Sequence, residues 1–357
     1  MMPIEVQRAA ALKPKPAATD VLGFGKYFTD HMFRMDYAPE RGWHQARIVP
    51  YGPLGLDPGA AALHYGQSVF DGAKVFRGRD GKLRAFRLKD HCARLATSAE
   101  RLSMAVVPPE LARECIEALV KVEAEWVPSA PGTSLYVRPV VIASEAFLGV
   151  RPADKYIFFA LLSPVGSYFN NNGAEPLRIW VEQRHTRAAP GGLGGAKAAA
   201  NYAASLQAAV EAKKRGYAQV LWLDALEHRY IEEVGTMNLF VRIGEEIVTP
   251  PLDGTFLPGI TRESALTLLR DWGMKVSERK LSIDELREAH REGALHEVFG
   301  TGTAAVISPV GGLGFEEGEL KIGQGRVGEV SQRLYEALTG IQYGTQPDRH
   351  GWMTVIG

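Results

Sequence analysis

Two short strand-like runs joined by a tight turn constrain the fold of this chain most strongly. Residues 68–77 and 82–88 are strand-like in pattern, and four turn residues separate them. The turn contains Asp80-Gly81, a pair that readily adopts the positive φ angles of a hairpin. Residues 238–243 and 246–249 form a second pair of this kind. The chain is therefore predicted to contain antiparallel sheet.

Helical patterns alternate with further strands along the chain. Asp90 is predicted to cap the first helix, Pro108-Pro109 opens the second, and Thr261 is the predicted cap of a later one. Because strands, hairpins and helices come in mixed order, the sequence predicts an α+β fold rather than a doubly wound parallel sheet. The predicted helices cover residues 90–102, 109 onward, 197–215, 262–272, 282–293 and about 327–338, and the other strands cover 134–142, 155–162 and 217–223.

The length of 357 residues suggests two domains. The run Asn170-Asn171-Asn172-Gly173 has the most linker-like composition inside the chain, and the first residues are rich in Ala, Pro and Lys. We expect an N-terminal extension over residues 1–30, a small α+β domain over 31–170, an interdomain linker over 171–185 and a large α+β domain over 186–357.

The charge balance and the cysteines exclude several classes of partner. The 41 Lys and Arg residues balance the 41 Asp and Glu residues, so there is no global field to hold nucleic acid. The longest apolar stretch, 156–162, is far shorter than the ~18 residues of a membrane span. Cys92 and Cys115 are too few for a disulfide framework and fit no zinc spacing. We expect a soluble cytoplasmic protein without a metal site.

Glycine-rich signatures of other enzyme classes fail on inspection. Residues 191–197 resemble a phosphate loop, but Ala196 and Ala198 stand where that loop requires other residues. Residues 300–305 fit the dinucleotide pattern, but Pro309 leaves no room for the helix that must follow. His296-Glu297 has no second histidine, and no Gly-x-Ser-x-Gly occurs. Nucleotide, zinc-protease and serine-hydrolase functions lose their usual support.

Lys197 stands out among the remaining candidates. It lies where a glycine-rich loop runs into a helix of small residues, so no bulky sequence neighbour obstructs a ligand. A partly desolvated lysine has a lowered pKa and offers a nucleophilic amine, which suits Schiff-base chemistry. The alternative is an ordinary solvated lysine, which is the commoner case.

Three other features could belong to the same site. Gly259-Ile260-Thr261 precedes a predicted helix and could bind an anion, although it could also be an ordinary cap. Glu233 could be a buried acceptor or a surface charge. Tyr136 and Arg138 share one face of a strand, which could line a polar pocket or simply face solvent.

Taken together, these segments resemble the branched-chain amino-acid aminotransferases, which are pyridoxal-phosphate (PLP) enzymes of fold type IV. The resemblance runs from about Phe33 to Tyr343 and is carried by many segments in the same order. The matching residues are 64–66, 70–72, 133–139, 197 with 201–202, 219–223, 233–238, 257–259 with 262, and 297–300 with 302–304.

The resemblance implies a cofactor site in the cleft between the two domains. It implies that Lys197 carries PLP as a Schiff base and later moves a proton between substrate Cα and cofactor C4′. Glu233 matches the carboxylate at the pyridine nitrogen, and Tyr202 matches the partner of the phenolic oxygen. The other residues implied to bind the cofactor are Arg94, Ile260, Thr261 and Thr303 at the phosphate, together with Thr236.

The resemblance also implies the substrates. Backbone N–H groups of Thr303 and Ala304, with Tyr136, would bind the α-carboxylate, and Arg138 would meet the γ-carboxylate of glutamate. Phe70, Tyr168 and Tyr202 would line an apolar side-chain pocket. The implied reaction is reversible transamination between Leu, Ile or Val and 2-oxoglutarate in a homodimer whose subunits share pocket residues.

Two departures from relatives and two alternatives accompany this interpretation. Ala305 and Ser308 occupy the positions of a Cys-x-x-Cys in mammalian members, and Ala198, Ala199 and Ala200 replace glycines of many relatives.

Within the same fold, a D-amino-acid aminotransferase or an aminodeoxychorismate lyase is the nearest alternative. A non-catalytic metabolite-binding or nucleotide-binding protein is the alternative from another class.

Overall fold

A computed structural model describes residues 2–17, 20–166 and 175–357. The chain divides into two compact units. Unit 1 contains Met1–Tyr168, Ala196–Ala200 and Gly340–Gly357, and unit 2 contains Phe169–Gly195 and Asn201–Thr339. Each unit is built on a nine-stranded sheet accompanied by helices. The predicted α+β fold is confirmed.

The strands follow one another in short segments separated by turns and helices. In chain order they are β1 (Glu5–Val6), β2 (His31–Ala38), β3 (Gly42–Pro50), β4 (Ser68–Phe70), β5 (Ala73–Arg77), β6 (Leu83–Phe86), β7 (Ser134–Ala143), β8 (Tyr156–Val165), β9 (Leu177–Val181), β10 (Gln219–Leu223), β11 (Ile231–Val234), β12 (Met237–Ile243), β13 (Glu246–Thr249), β14 (Lys275–Glu278), β15 (Leu295–Gly302), β16 (Val306–Phe315), β17 (Gly318–Lys321) and β18 (Met353–Ile356).

The α-helices vary between five and sixteen residues. They are α1 (Ala61–Tyr65), α2 (Leu88–Arg101), α3 (Pro109–Val122), α4 (Ala199–Lys214), α5 (Ile260–Asp271), α6 (Ile283–Arg291) and α7 (Glu329–Gln342). Within residues 2–17, 20–166 and 175–357, none of the helices has the length and apolar character needed to cross a membrane.

The sheet of unit 1 is mainly antiparallel. Its order is β1-β3-β2-β8-β7-β5-β6-β18, and β4 pairs with β7. The long strands β7 and β8 pair along their full length, from Ser134 opposite Val165 to Ala143 opposite Tyr156. Helices α2 and α3 contribute to the core through side chains at helical spacing, and the core includes Leu95, Ile116, Leu119, Leu135 and Phe158. This core supports the sheet that carries the neighbours of Lys197.

The sheet of unit 2 closes on itself. Its order is β11-β10-β9-β16-β15-β12-β13-β14, and β17 pairs with β16. Because β11 also pairs with β12, six of these strands form a closed ring. The core side chains include Ile179, Leu239, Leu286, Val298 and Leu313. Ring closure fixes the register between β11 and β12, where Glu233 lies opposite Asn238.

Most predicted elements are confirmed, but the strand predicted over 68–77 is two strands. β4 ends at Phe70 and β5 begins at Ala73. At the break, the Asp71 carboxylate accepts the Gly72 N–H at 2.7 Å. A Cβ on Gly72 would overlap the Tyr136 hydroxyl, so only glycine fits here. The chain therefore turns at Asp71-Gly72 instead of continuing as one strand.

Three predicted helix starts are wrong, and two are confirmed, one of them at Pro108-Pro109, where α3 begins. Asp90 does not cap α2, which begins at Leu88 after Arg87 in a left-handed conformation. Thr261 does not cap α5, because Gly259 is the cap residue. Lys197 precedes α4 instead of opening it. Ser282 does cap α6, since its hydroxyl accepts the Glu285 N–H at 3.0 Å.

The division into units differs from the predicted domain boundaries. Residues 340–357 belong with unit 1 because β18 pairs with β6, and residues 196–200 do so because Ala198 bridges to Val69. The predicted linker over 171–185 includes β9, a strand of the unit 2 sheet. The predicted extension over 1–30 includes β1, which pairs with β3. Residues 170–173 lie outside the described residues.

Candidate active site

The backbone of Lys197 is fixed against the edge of the unit 1 sheet. Its N–H donates to the Ser98 hydroxyl at 3.0 Å, and its carbonyl accepts the Phe70 N–H at 3.1 Å. The next residue, Ala198, forms a bridge with Val69. Lys197 therefore lies on an extension of β4 and precedes α4, in a position that two hydrogen bonds define.

The side chain of Lys197 lies among charged and aromatic groups of unit 1. Its Nζ is 5.1 Å from the centre of the Phe70 ring. Burial, reinforced by the positive charge of Arg94, lowers the pKa of Lys197 to about 8, while Asp71 and Tyr136 act in the opposite sense. A lysine with this pKa offers a substantial fraction of neutral, nucleophilic amine in mildly basic solution.

Arg94 is held in a side-on pair with Asp71. Nε donates to Oδ2 and Nη2 donates to Oδ1, both at 2.8 Å, and His91 Nδ1 lies 2.7 Å from Oδ1. Burial disfavours the charged form of Asp71, but Arg94 and His91 outweigh it and hold the pKa of this carboxyl well below its usual range. Burial lowers the pKa of His91. The orientation of the Arg94 guanidinium is thus determined by two side chains.

A row of polar side chains lies on one face of β5 and β7, next to Phe70 at the end of β4. Arg138 Nη2 donates to the Tyr136 hydroxyl at 3.1 Å, and the Arg138 guanidinium lies 4.7 Å from the Phe70 ring centre. Arg138 Nε has no hydrogen-bond partner within the described part of the chain. Opposite Tyr136 on β5 lies Lys74, a buried residue whose pKa is lowered to about 8 by burial. This face brings together Phe70, Tyr136 and Arg138, and the predicted shared face of Tyr136 and Arg138 is confirmed.

In unit 2, Glu233 is buried between a cation and an amide. Arg187 Nε lies 2.8 Å from Glu233 Oε2, and Asn238 Nδ2 donates to Oε1 at 3.3 Å. Asn238 Nδ2 also donates to the Leu257 carbonyl at 2.9 Å. The Arg187 guanidinium reaches the Thr255 carbonyl through Nη1 at 3.3 Å. Glu233 is therefore a buried carboxylate, in agreement with the predicted acceptor.

The N-terminus of α5 lies next to Asn238. A Cβ on Gly259 would overlap Asn238 Oδ1, so the cap position requires glycine. Because Gly259 has no side chain to cap α5, the first-turn N–H groups of Ile260 and Thr261 are not capped by a side chain of that residue. Ile260 and Thr261 are both buried. Helix N-termini of this kind suit phosphate groups.

The remaining predicted residues occupy separate turns or helices. Tyr202 is half-buried on α4, and Thr236 is exposed in the turn between β11 and β12. Thr303 and Ala304 are half-buried in the turn that joins β15 to β16. Tyr168 lies outside the described residues. Among the described residues, no group of three or more His, Cys, Asp or Glu side chains could hold a metal ion.

Sequence reasoning assigned no role to several residues that contact the predicted site residues within each unit. Asp71 and Asn238 lay within matched segments, but nothing in their spacing showed what they bind. Arg187, His91 and Ser98 carried no recognisable local signal. Each acts on a predicted residue from a distant part of the chain, and the pairing depends on sheet register and on helix placement.

Comparisons with known proteins identify the family of this chain. The family model described as amino-transferase class IV matches residues 68–313. Branched-chain-amino-acid aminotransferase 2 of Bacillus subtilis (strain 168) is 49% identical over 353 residues, which cover 99% of this chain and 97% of that protein. Branched-chain-amino-acid transaminase 1 of the same organism is 50% identical over 353 residues, 99% of each chain.

Solved structures agree with these relatives. The branched-chain amino acid aminotransferase of Escherichia coli superposes with a TM-score of 0.76 at 29% identity, covering 87% of this chain and 97% of that one. The T.th. branched-chain amino acid aminotransferase with pyridoxamine 5′-phosphate has a TM-score of 0.75 at 28% identity, covering 90% and 98%. The chain belongs to the class IV aminotransferases. Within that class it belongs to the branched-chain-amino-acid aminotransferase family, which confirms the resemblance.

Proposed function

We propose that this chain transfers the amino group of L-leucine, L-isoleucine or L-valine to 2-oxoglutarate, reversibly and with PLP as cofactor. The products are the branched-chain 2-oxo acid and L-glutamate. The observation that carries the proposal is Lys197, an amine whose pKa is lowered to about 8 and whose backbone is fixed by two hydrogen bonds. The relatives' names support this substrate class over the D-amino-acid and lyase alternatives.

The donor groups present suit PLP. Unit 1 offers a nucleophilic amine at Lys197 for the aldehyde carbon and an oriented guanidinium at Arg94 for the phosphate. When bound, PLP supplies an electron sink for the negative charge left at substrate Cα. Once substrate has displaced it, the Lys197 amine would carry a proton between substrate Cα and the cofactor carbon C4′. Its lowered pKa matches this alternation between acid and base.

In unit 2, the proposed cofactor contacts are a carboxylate, a phenol and a helix N-terminus. Glu233 would accept a hydrogen bond from the protonated ring nitrogen of PLP, and the Tyr202 hydroxyl would donate one to the phenolic oxygen of PLP. The N–H groups of Ile260 and Thr261, with the hydroxyl of Thr303, bind the phosphate together with Arg94. Thr236 is the further cofactor-binding residue that we propose.

Substrate recognition is assigned to the same residues as in the sequence prediction. Backbone N–H groups of Thr303 and Ala304, together with the Tyr136 hydroxyl, bind the α-carboxylate. Phe70, Tyr168 and Tyr202 contact the apolar side chain. Arg138 binds the γ-carboxylate of glutamate, and its unpartnered Nε supports this role because a guanidinium nitrogen shielded from water normally has an acceptor.

The proposed assembly is a homodimer. Unit 1 exposes an apolar patch formed by α1 and the turn after β7, in which Leu148 is 65% exposed and Val150 is 87% exposed. The Tyr65 hydroxyl, which donates to the Leu148 carbonyl, joins the two segments of the patch. Large side chains clustered in this way favour a protein partner, and a second copy of the chain is the partner that we propose. The other members of the patch are Leu63 and Phe147.

The assembly can be tested by sedimentation at micromolar concentration. We expect a dimer for the unaltered chain and a monomer for the variant Leu148→Glu with Val150→Glu. Leu226→Glu is the matched control, because Leu226 is an exposed leucine of unit 2. A dimer that persists in the double variant would contradict the proposed surface.

The proposed location is the cytoplasm, and the proposed partners are amino acids and 2-oxo acids, with neither nucleic acid nor membrane among them. Both cysteines are free and buried, and burial raises the pKa of both thiols, which makes them poor nucleophiles. A reducing compartment is consistent with this arrangement.

An absorbance spectrum of the purified protein tests the function. We expect a visible band from covalently bound PLP that L-leucine alone, without an oxo acid, converts to the spectrum of the pyridoxamine form. A band that D-alanine changes and L-leucine does not would favour the D-amino-acid alternative. The absence of any band after PLP is supplied would contradict the proposal.

Two lysines of unit 1, the buried Lys74 and the half-buried Lys197, make a matched pair for this test. Lys197 and Lys74 both have a pKa lowered to about 8 by burial. Lys197→Ala is expected to lose the visible band and nearly all turnover, whereas Lys74→Ala is expected to keep the band. The opposite result would move the covalent role to Lys74.

A further inference from the structure

We propose that Arg187 is a positioning residue that keeps Glu233 negatively charged and oriented toward the ring nitrogen of the cofactor. The proposal rests on the role proposed above for Glu233. It assigns a function to a residue that carries no local signal in the sequence. Arg187 acts through Glu233 and is not assigned any contact with substrate.

The geometry of the pair supports an orienting role. Arg187 Nε lies 2.8 Å from Glu233 Oε2, while Asn238 Nδ2 donates to the other oxygen, Oε1, at 3.3 Å. The arginine charge beside one oxygen and the amide donor at the other therefore hold the carboxylate from two sides. An ionised carboxylate has room for about four hydrogen bonds, so it can accept a further donor.

Arg187 is itself anchored within unit 2. Its Nη1 donates to the Thr255 carbonyl at 3.3 Å. The Thr255 carbonyl packs so closely against Gly194 that a Cβ at this glycine would overlap it. The guanidinium and Glu233 side chains are both almost completely buried. A buried arginine held by a backbone carbonyl is a permanent charge that solvent screens little.

The neighbouring residue Glu232 shows what Glu233 would experience without a cation. Glu232 is 5% exposed and Glu233 is 2% exposed, and they lie on opposite faces of β11. Burial raises the pKa of Glu232 to about 7, with further contributions from Asp253, Glu233 and Asp224, although Thr255 stabilises the charged form. Glu233 is equally buried and close to the charge of Glu232, but Arg187 lies beside it.

The charge of Glu233 affects the protonation of the cofactor's ring nitrogen. A protonated carboxyl at Glu233 would have no negative charge to stabilise a protonated ring nitrogen, and the cofactor nitrogen would lose the proton on which its electron-withdrawing power depends. A fixed arginine prevents this at neutral pH, since an opposite charge within hydrogen-bond distance favours the ionised form by about 1–3 pH units. Arg187 thus supplies the charge that the buried position would otherwise remove.

The test measures PLP binding by the apoprotein across pH, followed by the visible band and by quenching of intrinsic fluorescence. Arg187→Met is expected to bind PLP about tenfold or more weakly at neutral pH, and the acidic limb of the binding profile should move upward by about 1–3 pH units. Arg187→Lys should restore most of the affinity and the profile, because it returns a charge without the guanidinium geometry.

A double-variant cycle distinguishes action through Glu233 from a general structural effect. Glu233→Gln should weaken PLP binding, and adding Arg187→Met to it should cause little further loss. This double variant also removes the uncompensated charge, so it remains informative if Arg187→Met alone does not fold. The matched control is Arg242→Met, which breaks another arginine–glutamate pair of unit 2. It should lower stability and leave the binding profile unchanged.

Each other outcome overturns the inference. If Glu233→Gln weakens binding but Arg187→Met matches the unaltered protein, Arg187 has no role at Glu233. If the two effects simply add, Arg187 acts independently of Glu233. If neither variant changes binding or its pH profile, the proposed role of Glu233 fails first, and the inference fails with it.

Discussion

The two units each contain a buried arginine–carboxylate pair, and the two pairs are built in opposite senses. In unit 1, Asp71 accepts hydrogen bonds from Arg94, His91 and the Gly72 N–H, and Arg94 is the proposed ligand-facing member. In unit 2, Arg187 is anchored to the Thr255 carbonyl, and Glu233 is the proposed ligand-facing member. The same pair of charges can therefore present either a cation or an anion, according to which member the fold anchors.

Removing the cation of the unit 1 pair should have the largest effect on stability. Arg94→Met leaves the fully buried Asp71 without its counter-charge, which is expected to cost about 3–5 kcal/mol in urea unfolding of the apoprotein. The double variant Asp71→Asn with Arg94→Met should recover most of this stability. It should not recover PLP binding if Arg94 binds the phosphate. If the double variant recovered both stability and PLP binding, the Arg94–Asp71 pair would have only a structural role, and the comparison between the two units would fail.

Neutralising the carboxylate of the same pair should cost less, about 2–3 kcal/mol for Asp71→Asn, because Arg94 retains some access to water. The pKa of Asp71 is held below its ordinary 3.8 in the folded state, so its stabilising contribution is complete above about pH 4 and declines as the pH falls further. The stability difference between the unaltered protein and the variant should follow that course. A difference that instead begins to change as the pH falls below about 6.5 would point to His91, whose pKa is lowered in the fold.

In unit 2, the contribution of Glu232 to stability is expected to change with pH in the opposite direction to that of Asp71. Its pKa rises from 4.5 to about 7 on folding, so its contribution to stability is complete below pH 4.5 and is lost as the pH rises through 7. At pH 8, Glu232→Gln should therefore be more stable than the unaltered protein by about 3 kcal/mol, and below about pH 4 the advantage should vanish. Equal stability at both pH values would show that Glu232 is already ionised in the fold, which would remove the contrast with Glu233.

A salt bridge on the surface is expected to contribute least to stability. Arg178 and Glu319 form a salt bridge in which the arginine side chain is about half exposed. Glu319→Gln is expected to change stability by no more than about 0–1 kcal/mol, and the change should shrink in high salt. A cost as large as that of Asp71→Asn would mean that burial is not what distinguishes the two internal pairs.

Local pattern was sufficient to predict many elements of this fold. The hairpin at Asp80-Gly81 forms between β5 and β6 as predicted, and Ser282 caps α6. The errors occurred where side-chain contacts compete with propensity. Asp71 breaks a predicted strand because its carboxylate binds Arg94, and Asp90 fails as a cap because the Arg87 side chain binds it.

The residues of the candidate site also fall into two groups, those identified from the sequence and those found only in the structure. Lys197, Arg94, Tyr136, Arg138 and Phe70 were identified from the sequence, and unit 1 brings them together. The partners that orient them were not identified, because Ser98, His91 and Asp71 have no recognisable spacing relative to the groups that they hold. Glu233 was identified in unit 2, and Arg187 was not.

The sequence by itself determined the α+β order of elements, the reactive lysine at the end of a glycine-rich loop and the family resemblance. Those features depend on turn chemistry, periodicity and residue identity, which are local properties of the chain. Only the tertiary structure decided which groups anchor each buried ion pair. That choice depends on which strands are adjacent and on how completely water is excluded, and neither is specified within any short segment of the chain.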